Sequence, residues 1–475
     1  MNSSTQILVI GGGPAGSTTA TFLAREGFDV TLIEKEVFPR YHIGESLLPS
    51  CLEILELLGA REKIEAYGFQ RKGGGYFDWG QDSWVLDFSK LRHPYSFQVV
   101  RSEFDQLLLE HAKSQGVKVY EGVEIRGVTF DGDRPRSAKW AQVAGEKEEG
   151  EISFDILVDA SGRSGVMSMR YLKNRRYHDS FQNVALWGYW KDAGTMAFAP
   201  EGSIAVGSVP DGWFWGIPLH DGTMSVGLVL HKTTFKEKRQ QHSSLKDIYM
   251  EAINECPLIL NLVKSGTLVS DQLGVEQDYS YIADSISGPG YFMVGDSACF
   301  IDPLLSTGVH LATHGSMLAA ASIASMLRGE VTEEQALHFY EHSYRHAYLR
   351  LMIIVSGLYQ QYRGKETYFW QAQQLTHNDF KEPDKVYEAF LYVVSGVEDQ
   401  KDIARTPEDL LVPDLAGKLP AEEEERAKAW YQVYHKVFLR SSMSADTAIE
   451  GMYVSTKPRL GLSVAQDDPV MMPQK

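Results

Sequence analysis

The stretch Gln6-Ile7-Leu8-Val9-Ile10-Gly11-Gly12-Gly13-Pro14-Ala15-Gly16 decides the fold of this chain. It begins with a mostly apolar run that is rich in β-branched side chains, which is typical of a buried parallel strand. The residues that follow predict a helix over 17–26 and a second strand over 29–33, directly before Glu34. Strand, glycine turn, helix and strand in this order predict a βαβ unit, the start of a Rossmann-like α/β domain.

The glycine turn also predicts a dinucleotide site. Its glycines permit a tight turn, close approach of a pyrophosphate and close packing of the helix on the strand, while the helix N-terminus attracts phosphate charge. A carboxylate at the end of the second strand is where the ribose hydroxyls of an adenosine are bound. The predicted dinucleotide-binding residues are Gly11, Gly13, Pro14, Ala15, Gly16 and Glu34.

Composition limits the classes of protein that remain. The 475 residues are 43% hydrophobic and 23% charged, which is typical of a globular protein with two or three packed units. No apolar segment reaches membrane-spanning length without a charge, and residues 1–5 lack a basic leader, so we expect a cytoplasmic protein without a membrane partner. A formal charge of −17 argues against nucleic-acid binding. The cysteines Cys51, Cys256 and Cys299 are too few for a disulfide framework or a zinc site, so we expect no metal and three buried thiols.

Two later segments have the same form of a strand that ends in an acid. Residues 155–163 contain a buried strand that ends at Asp159, and residues 291–298 contain a strand followed by Gly295 and Asp296. Asp296 can meet a ribityl chain or a phosphate, and Asp159 is either a second cofactor contact or a residue of the turn at the strand end.

These segments, together with Arg101 in residues 99–105, resemble the FAD motifs of the para-hydroxybenzoate hydroxylase-like flavoproteins. The resemblance implies FAD rather than NAD as the cofactor. It also implies a mixed α/β (α+β) fold, in which an FAD-binding Rossmann-like domain carries an inserted β-sheet substrate domain and is followed by a helical C-terminal region. We place the FAD-binding core at 1–330, with its cofactor part at about 1–50, 98–170 and 275–330 and its substrate-side sheet at about 51–97 and 171–274. Residues 331–475 are the predicted helical region.

The string Trp213-Phe214-Trp215-Gly216-Ile217-Pro218 is predicted to be a strand that ends at Pro218 or lies at an edge. Trp213, Trp215 and Ile217 then share one face, and Phe214 points to the other. On periodicity alone, core packing is the ordinary explanation of such aromatic residues.

A further turn, Asp302-Pro303-Leu304-Leu305-Ser306-Thr307-Gly308, precedes a predicted helix over residues 310–327. Backbone amides at such a turn, together with the helix dipole, form a small anion site. A chloride could sit there, and the resemblance to flavin-dependent halogenases described below implies that Thr307 and Gly308 contact the halide. The alternative is that the turn only packs on the flavin ring.

Lys72, in Gln70-Arg71-Lys72-Gly73-Gly74, would by itself be a solvated loop residue. Beside the Trp213–Pro218 string, however, it resembles the essential lysine of FADH2-dependent halogenases, in particular those of phenolic or tyrosyl building blocks of natural products. The stretches 44–79 and 367–372 resemble this group most.

The resemblance implies a mechanism and partners. FADH2 from a separate flavin reductase, with O2 and chloride or bromide, gives hypohalous acid near Thr307 and Gly308. The acid passes behind a flavin-shielding wall of Trp213, Trp215, Ile217 and Pro218 to Lys72, either as a haloamine or as hydrogen-bonded hypohalous acid. Electrophilic substitution of an aromatic substrate follows.

Two points concern the substrate, and a third concerns the reaction. Leu305 stands where the free-tryptophan halogenases carry a glutamate, which puts free tryptophan in doubt and favours a phenol. The substrate is either free or tethered to an acidic carrier protein, for which the basic cluster of Arg170, Lys173, Arg175 and Arg176 is a candidate dock. The alternative activity is that of an NAD(P)H-dependent FAD aromatic monooxygenase, a hydroxylase.

Beyond residue 330 the sequence predicts a helix over 332–351, followed by segments rich in aromatic residues that could line a pocket: Tyr359, Tyr362, Tyr368, Phe369 and Trp370. The run Glu422–Glu425 is typical of an acidic first helical turn. Residues 460–475 are expected to form a loose tail.

Overall fold

The computed structural model describes residues 2–80, 82–143, 148–361, 442–446, 448–449 and 451–465. The predictions for Tyr362, Tyr368, Phe369, Trp370, Glu422–Glu425 and residues 466–475 lie outside the described residues. The strands are β1 (Ile7–Ile10), β2 (Val30–Glu34), β3 (Gln70–Lys72), β4 (Gly74–Trp79), β5 (Asp82–Asp87), β6 (Ser96–Gln98), β7 (Lys118–Glu121), β8 (Val123–Asp131), β9 (Arg134–Gln142), β10 (Glu149–Ser153), β11 (Ile156–Asp159), β12 (Arg175–Lys191), β13 (Ile204–Val209), β14 (Gly212–Pro218), β15 (Thr223–His231), β16 (Thr267–Leu268), β17 (Gly274–Ala283), β18 (Ser287–Gly288), β19 (Tyr291–Met293), β20 (Cys299–Phe300), β21 (Met452–Ser455) and β22 (Gly461–Val464). The α-helices are α1 (Pro14–Arg25), α2 (Ser50–Leu58), α3 (Arg61–Tyr67), α4 (Arg101–Ser114), α5 (Lys232–Gln241), α6 (Leu245–Asn254), α7 (Pro257–Val263), α8 (Gly308–Leu327) and α9 (Glu333–Gln361).

The predicted βαβ unit is present as β1, α1 and β2, whose strands pair in parallel. Helix α1 begins at Pro14, three residues earlier than predicted, because proline at the first helical position has a suitable φ and needs no hydrogen-bond acceptor. The sheet has the order β18-β19-β11-β1-β2-β7, and only the β18–β19 pair is antiparallel. Since the ends of parallel strands meet at one edge, Glu34 and Asp159, which end β2 and β11, lie at the same edge of the sheet as Gly11 and Asp296, which follow β1 and β19.

A second, larger sheet has the order β20-β17-β12-β15-β14-β13-β4-β5, with β16 paired to β12. The alternation predicted for β14 is confirmed: Trp213, Trp215 and Ile217 belong to the core shared with the first sheet, and Phe214 belongs to a second core. In that second core the Phe214 ring packs against Tyr249 of α6. Pro218 ends β14, which pairs with strands on both sides and so is not an edge.

Helix α8 is the central helix of the first core. It is buried from Val309 to Ser325, as expected for a helix that is apolar or small on all sides. The β21–β22 hairpin packs on its end: Leu462 N donates to Ser325 Oγ at 2.8 Å, and Arg328 Nη2 donates to Leu460 O at 2.6 Å. The expectation of a loose tail is therefore wrong for residues 460–465.

The mixed α/β class is confirmed by the parallel sheet, the larger sheet and the helices that pack on them. The division at residue 330 stays a prediction. In the described part of the 331–475 region, helix α9 extends ten residues beyond its predicted end at Leu351 and the β21–β22 hairpin follows.

Candidate flavin and halide site

A cavity of about 530 Å³ begins at the carboxyl edge of the parallel sheet and extends to the start of α8 and the face of β14. At the sheet edge, five of the predicted dinucleotide-binding residues line it: Gly11, Gly13, Pro14, Ala15 and Glu34. Gly16 does not line it. Gly16 instead lets α1 approach β1, since a Cβ there would lie 1.9 Å from Gly11 O.

The glycine turn fits a closely bound pyrophosphate. Gly11 has φ +105°, and a Cβ on it would lie 2.3 Å from Ala160 O, so a side chain is excluded there. Glu34 is buried, and its Oε2 accepts from Gly12 N at 2.6 Å while its Oε1 accepts from Glu36 N at 2.9 Å. The carboxylate is thus held at the place where the sequence predicts a ribose contact.

Asp159 does not line the cavity and is fully buried. Its carboxylate accepts from Ser161 N at 3.0 Å, from Ser161 Oγ at 2.5 Å and from Met167 N at 2.7 Å. These contacts support the alternative role of Asp159 as a residue of the turn, whose Ser161 and Gly162 line the cavity. Asp296 does line the cavity, with Arg163 Nε 3.8 Å from its carboxylate.

Arg101 lines the cavity, but most of its donors bind protein groups. Its Nε and Nη2 donate to the two oxygens of Asp105 at 2.8 and 2.9 Å, and its Nη1 donates to Ile43 O at 3.0 Å and Gly44 O at 3.2 Å. Arg40 Nη1 also donates to Asp105, at 3.1 Å. Asp105, which the sequence did not single out, therefore orients the arginine that holds residues 43–44 against the cavity.

Asp105→Asn is expected to lower the free energy of unfolding by about 3–5 kcal/mol, because the buried Arg101 loses its counter-charge. Denaturant unfolding of the purified variant measures this. The control is Asp29→Asn, which breaks the exposed pair with Lys118 and should cost under about 1 kcal/mol. Equal losses in the two variants would contradict the assigned role of Asp105.

The turn before α8 has the form of an anion site. Ser306, Thr307 and Gly308 line the cavity, and α8 begins at Gly308, where the first amides of the helix have no intrahelical acceptor. Thr307 is fully buried, and its Oγ1 has no hydrogen-bond partner among the described residues. An unfilled hydroxyl donor beside a helix N-terminus suits a small anion such as halide.

Trp213, Trp215 and Ile217 form one wall of the cavity, whereas Pro218 does not line it. The two indole rings lie 6.2 Å apart, and both ring nitrogens donate within the protein: Trp213 to Tyr359 OH at 2.8 Å and Trp215 to Ser225 Oγ at 3.2 Å. The cavity therefore meets apolar ring surface, as expected of a partition.

Room for the Trp215 ring comes from the neighbouring strand. A Cβ on Gly227, directly opposite Trp215 on β15, would lie 2.0 Å from the ring. A glycine in the middle of an apolar strand is a sequence signal of such close approach, which our sequence analysis did not use.

Lys72 is buried. The interpretation of Lys72 by itself, as a solvated loop residue, is therefore wrong. Lys72 is 2% exposed, and its Nζ donates to Ser46 Oγ at 2.8 Å and to Leu47 O at 3.0 Å. It does not itself line the cavity, but Ser46 does. Burial lowers the pKa of the Lys72 ammonium to about 7, so both its ammonium and amine forms are populated near neutral pH.

Glu45 is a candidate functional residue that the sequence analysis missed, although it lies in the stretch 44–79. It lines the cavity and is 3% exposed, and burial raises the pKa of its carboxyl to about 7. Its Oε1 accepts from Tyr189 OH at 2.7 Å, and Tyr189 OH lies 2.9 Å from Tyr41 OH, on a ring that is 60% exposed. This chain of hydroxyls can carry a proton between solvent and the cavity. A carboxylate two residues before the apolar pair Leu47-Leu48 was the available signal.

The basic cluster does not form one free surface. Arg170 lines the cavity, the Arg175 guanidinium lies 4.0 Å from the centre of the Tyr281 ring, and Arg176 pairs with Asp284 at 2.7 Å. The structure thus gives three of its four residues other contacts and weakens their interpretation as a dock.

The predicted burial of Cys51, Cys256 and Cys299 is confirmed. Across the described ranges there is no cluster of three or more metal-ligating side chains. None of the helices in those ranges combines the length and apolar character that a membrane span needs. Cytoplasmic location stays a prediction.

A Rossmann-like sheet with a glycine cradle and a terminal acid, joined to a second sheet that walls the same cavity, defines an FAD-dependent enzyme of the monooxygenase-like class. The profile of the family described as tryptophan halogenase matches residues 6–94 and 89–404. The chain belongs to this family of flavin-dependent halogenases.

Individual relatives support the assignment to this family. The chain is 47% identical to a tryptophan 2-halogenase of Chondromyces crocatus, over 97% of this chain and 94% of that protein. It is 43% identical to the flavin-dependent halogenase armH2 of Armillaria mellea, over 86% and 81% of the two chains. Among solved structures, the myxobacterial chondrochloren halogenase CndH is 34% identical and superposes with a TM-score of 0.75, covering 83% of this chain and 90% of that one.

The family and the structural relatives confirm three predictions made from the sequence. These are the halogenase family, the Rossmann-like FAD-binding fold, and the use of FADH2, halide and O2 by the enzyme. Flavin-dependent halogenases need a flavin reductase and an aromatic substrate. The family assignment favours halogenation over the alternative of hydroxylation.

Proposed function

We propose that the protein halogenates an electron-rich aromatic ring by electrophilic substitution, with the oxidised halogen delivered to Lys72. The observation that carries the proposal is the position of Lys72: its ammonium is buried, and Ser46, to which it donates, lines the cavity that also holds the glycine cradle and the tryptophan wall. An amine in a dry environment beside that cavity can accept or polarise an electrophile.

The cofactor, when bound, supplies the oxidation of halide by O2. The residues that would hold it are those at the sheet edge and beyond: Gly11, Gly13, Pro14, Ala15, Glu34 and Asp296. Arg101 would act by fixing residues 43–44. Gly16 would shape the glycine turn before α1, and Asp159 would shape the turn after β11. These assignments are part of the proposal.

Halide would bind at Thr307 and Gly308, where the Thr307 hydroxyl and the first amides of α8 are its donors. The rings of Trp213 and Trp215, with Ile217, would separate the bound cofactor from the organic substrate, because both indole nitrogens are already bound and the ring surface that lines the cavity is inert. Pro218 would serve only to end the strand.

Two classes of substrate have support. A phenol is favoured by Leu305, which is buried beside the proposed halide turn where a carboxylate would be needed to assist an indole. An indole is favoured by the relative named tryptophan 2-halogenase, at 47% identity. We retain the phenol, free or carrier-bound, as the proposal and tryptophan as the second candidate.

The test is to supply the purified protein with a flavin reductase, FAD, O2 and chloride or bromide, together with tryptophan and a panel of phenols, free and carrier-loaded. Mass spectra of the products should show halogen isotope patterns on a phenol in preference to tryptophan. Halogenated tryptophan as the main product would replace the phenol by the indole. A hydroxylated product that forms without halide would overturn the proposed function.

A further inference from the structure

We propose that Asp302 and Tyr359 are positioning residues that hold the Thr307–Gly308 turn and the Trp213 ring in a fixed relation. Halide affinity then depends on a tyrosine that does not line the cavity at all. The inference rests on the proposed halide site and adds to it the part of the chain that sets its geometry.

Asp302 anchors the start of the turn. It is fully buried, and its Oδ1 accepts from Leu304 N at 3.0 Å, within the helical turn Pro303–Leu305 that leads to Ser306. Its Oδ2 accepts from Asn183 Nδ2 on β12 at 2.8 Å and from Tyr359 OH at 3.0 Å. One carboxylate therefore ties the turn to the large sheet and to α9.

Tyr359 connects this anchor to the wall. Its hydroxyl donates to Asp302 and at the same time accepts from Trp213 Nε1 at 2.8 Å. Its ring is fully buried, with the rings of Phe181 at 5.6 Å and Trp79 at 5.9 Å. Trp79 Nε1 also donates to Leu358 O at 3.0 Å, which fixes this end of α9.

The turn needs such an anchor because it contains a strained residue. Ser306 has φ +59°, a left-handed conformation that is unfavourable for a non-glycine residue and persists only when the surroundings hold it. Without the Tyr359 hydroxyl, the buried Trp213 Nε1 and one lone pair of Asp302 lose their partner. The turn and the ring could then shift independently, and the donors at Thr307 and Gly308 would no longer converge.

The experiment uses Tyr359→Phe and a matched control, Tyr249→Phe. Tyr249 is also a fully buried tyrosine bridging an indole and an acceptor: its hydroxyl accepts from Trp190 Nε1 at 3.0 Å and donates to Val226 O at 2.9 Å, in the core on the other face of the same sheet. Both variants lose one hydroxyl and two buried hydrogen bonds, so they should lose similar stability. Only the first touches the turn.

Chloride and bromide are titrated into the FAD-loaded proteins while the flavin absorbance is followed, and the peroxide released per reduced flavin is measured separately. Tyr359→Phe should raise the apparent halide Kd about tenfold, the equivalent of one lost buried contact, and release more peroxide. Tyr249→Phe should stay within about twofold of the wild type. Asp302→Asn, which keeps an acceptor for Leu304 N but presents an amide to Asn183 and Tyr359, should behave like Tyr359→Phe.

Wild-type halide affinity and peroxide release in Tyr359→Phe would overturn the inference and leave the proposed function intact. An equal loss of halide affinity in Tyr249→Phe would also overturn the inference, since a general loss of packing would then explain the effect of Tyr359→Phe. If the wild-type flavin spectrum did not respond to halide at all, the proposed halide site at Thr307 and Gly308 would be wrong. The inference, which rests on that site, would then be wrong too.

Discussion

Lys72→Met is expected to lower the rate of halogenation on the order of 10³-fold, the loss typical of removing a group that acts on the reacting atoms. Methionine has nearly the length of lysine and suits a buried site, but it has no nitrogen to bind or polarise the halogen. The fold around β3 should tolerate it, because burial of the charged ammonium is itself costly. Halogenated product is measured by mass spectrometry under saturating reduced flavin.

FAD binding and the oxidation of reduced flavin should remain near wild-type levels in Lys72→Met, since Lys72 does not line the cavity. The control is Lys238→Met, which removes another poorly exposed lysine. Lys238 lies in α5, pairs with Asp211 in the β13–β14 turn and with Glu251 in α6, and does not line the cavity. Product formation at the wild-type rate in Lys72→Met would show that the lysine is structural.

Glu45→Gln is expected to slow halogenation by about 10²-fold at neutral pH, within the range for loss of a general acid. Forming hypohalous acid from halide takes up a proton, and Glu45 is a buried acid in the cavity with a hydroxyl chain to solvent. The amide keeps the shape of the side chain and can still accept from Tyr189, but it cannot release and regain a proton. Single-turnover rates of product formation measure the effect.

The pH dependence has a definite sign. Burial raises the pKa of Glu45 to about 7, against the opposing influence of Tyr189, Ser225 and Arg101 and with a small contribution from Asp221. The protonated acid is thus available below pH 7 and is lost as the pH rises through 7, and the rate should fall in the same direction. Lys72 loses its ammonium over the same range, so the part of the fall that disappears in Glu45→Gln is the part due to Glu45.

An infrared measurement distinguishes loss of the Glu45 proton from a general disturbance of the site. The infrared difference spectrum between the FAD-loaded wild type and Glu45→Gln at pH 6 should show the carbonyl band of one buried protonated carboxyl group. Burial also raises the pKa of Asp302 to about 6, but that group absorbs in both proteins and cancels in the difference. Glu36→Gln, which changes an exposed carboxylate that also lines the cavity, should alter neither the band nor the rate. Wild-type rates in Glu45→Gln across the pH range would remove the acid from the reaction.

Local physics explains which parts of the site were predictable. The glycine turn, β1, α1 and β2 are set by residues that are neighbours in the chain, and their order predicted the Rossmann-like fold and the place of Glu34. Alternation along β14 predicted which face Trp213 and Trp215 share. Errors arose where contacts are distant in sequence. Residues 460–465 are ordered by α8, more than 130 positions earlier, and no local pattern reports that packing.

The roles of single side chains depended on such distant contacts even more. Asp159 ends one parallel strand and Asp296 follows another, yet the Asp159 carboxylate is bound by its own turn and only Asp296 lines the cavity. Arg101 holds the carbonyls of residues 43 and 44, and Asp105 orients it. Sequence spacing predicted that these residues lie near the carboxyl edge of the parallel sheet. It could not predict which of their atoms remain available to bind a ligand.

The sequence by itself determined the class of fold, the family and the glycine turn with Glu34 at the carboxyl edge of the parallel sheet, because strand period, helix start and glycine turns are encoded within a few residues. Only the tertiary structure decided that Lys72 is buried at Ser46, that Glu45 is a buried acid with a path to solvent, and that Tyr359 joins Trp213 to Asp302. The reason is that burial and hydrogen-bond partners set the pKa and the available atoms of a side chain. The hydrogen-bond partners of Lys72, Glu45 and Tyr359 include residues 26 to 146 positions away in the chain, on elements that pack together only in the folded protein.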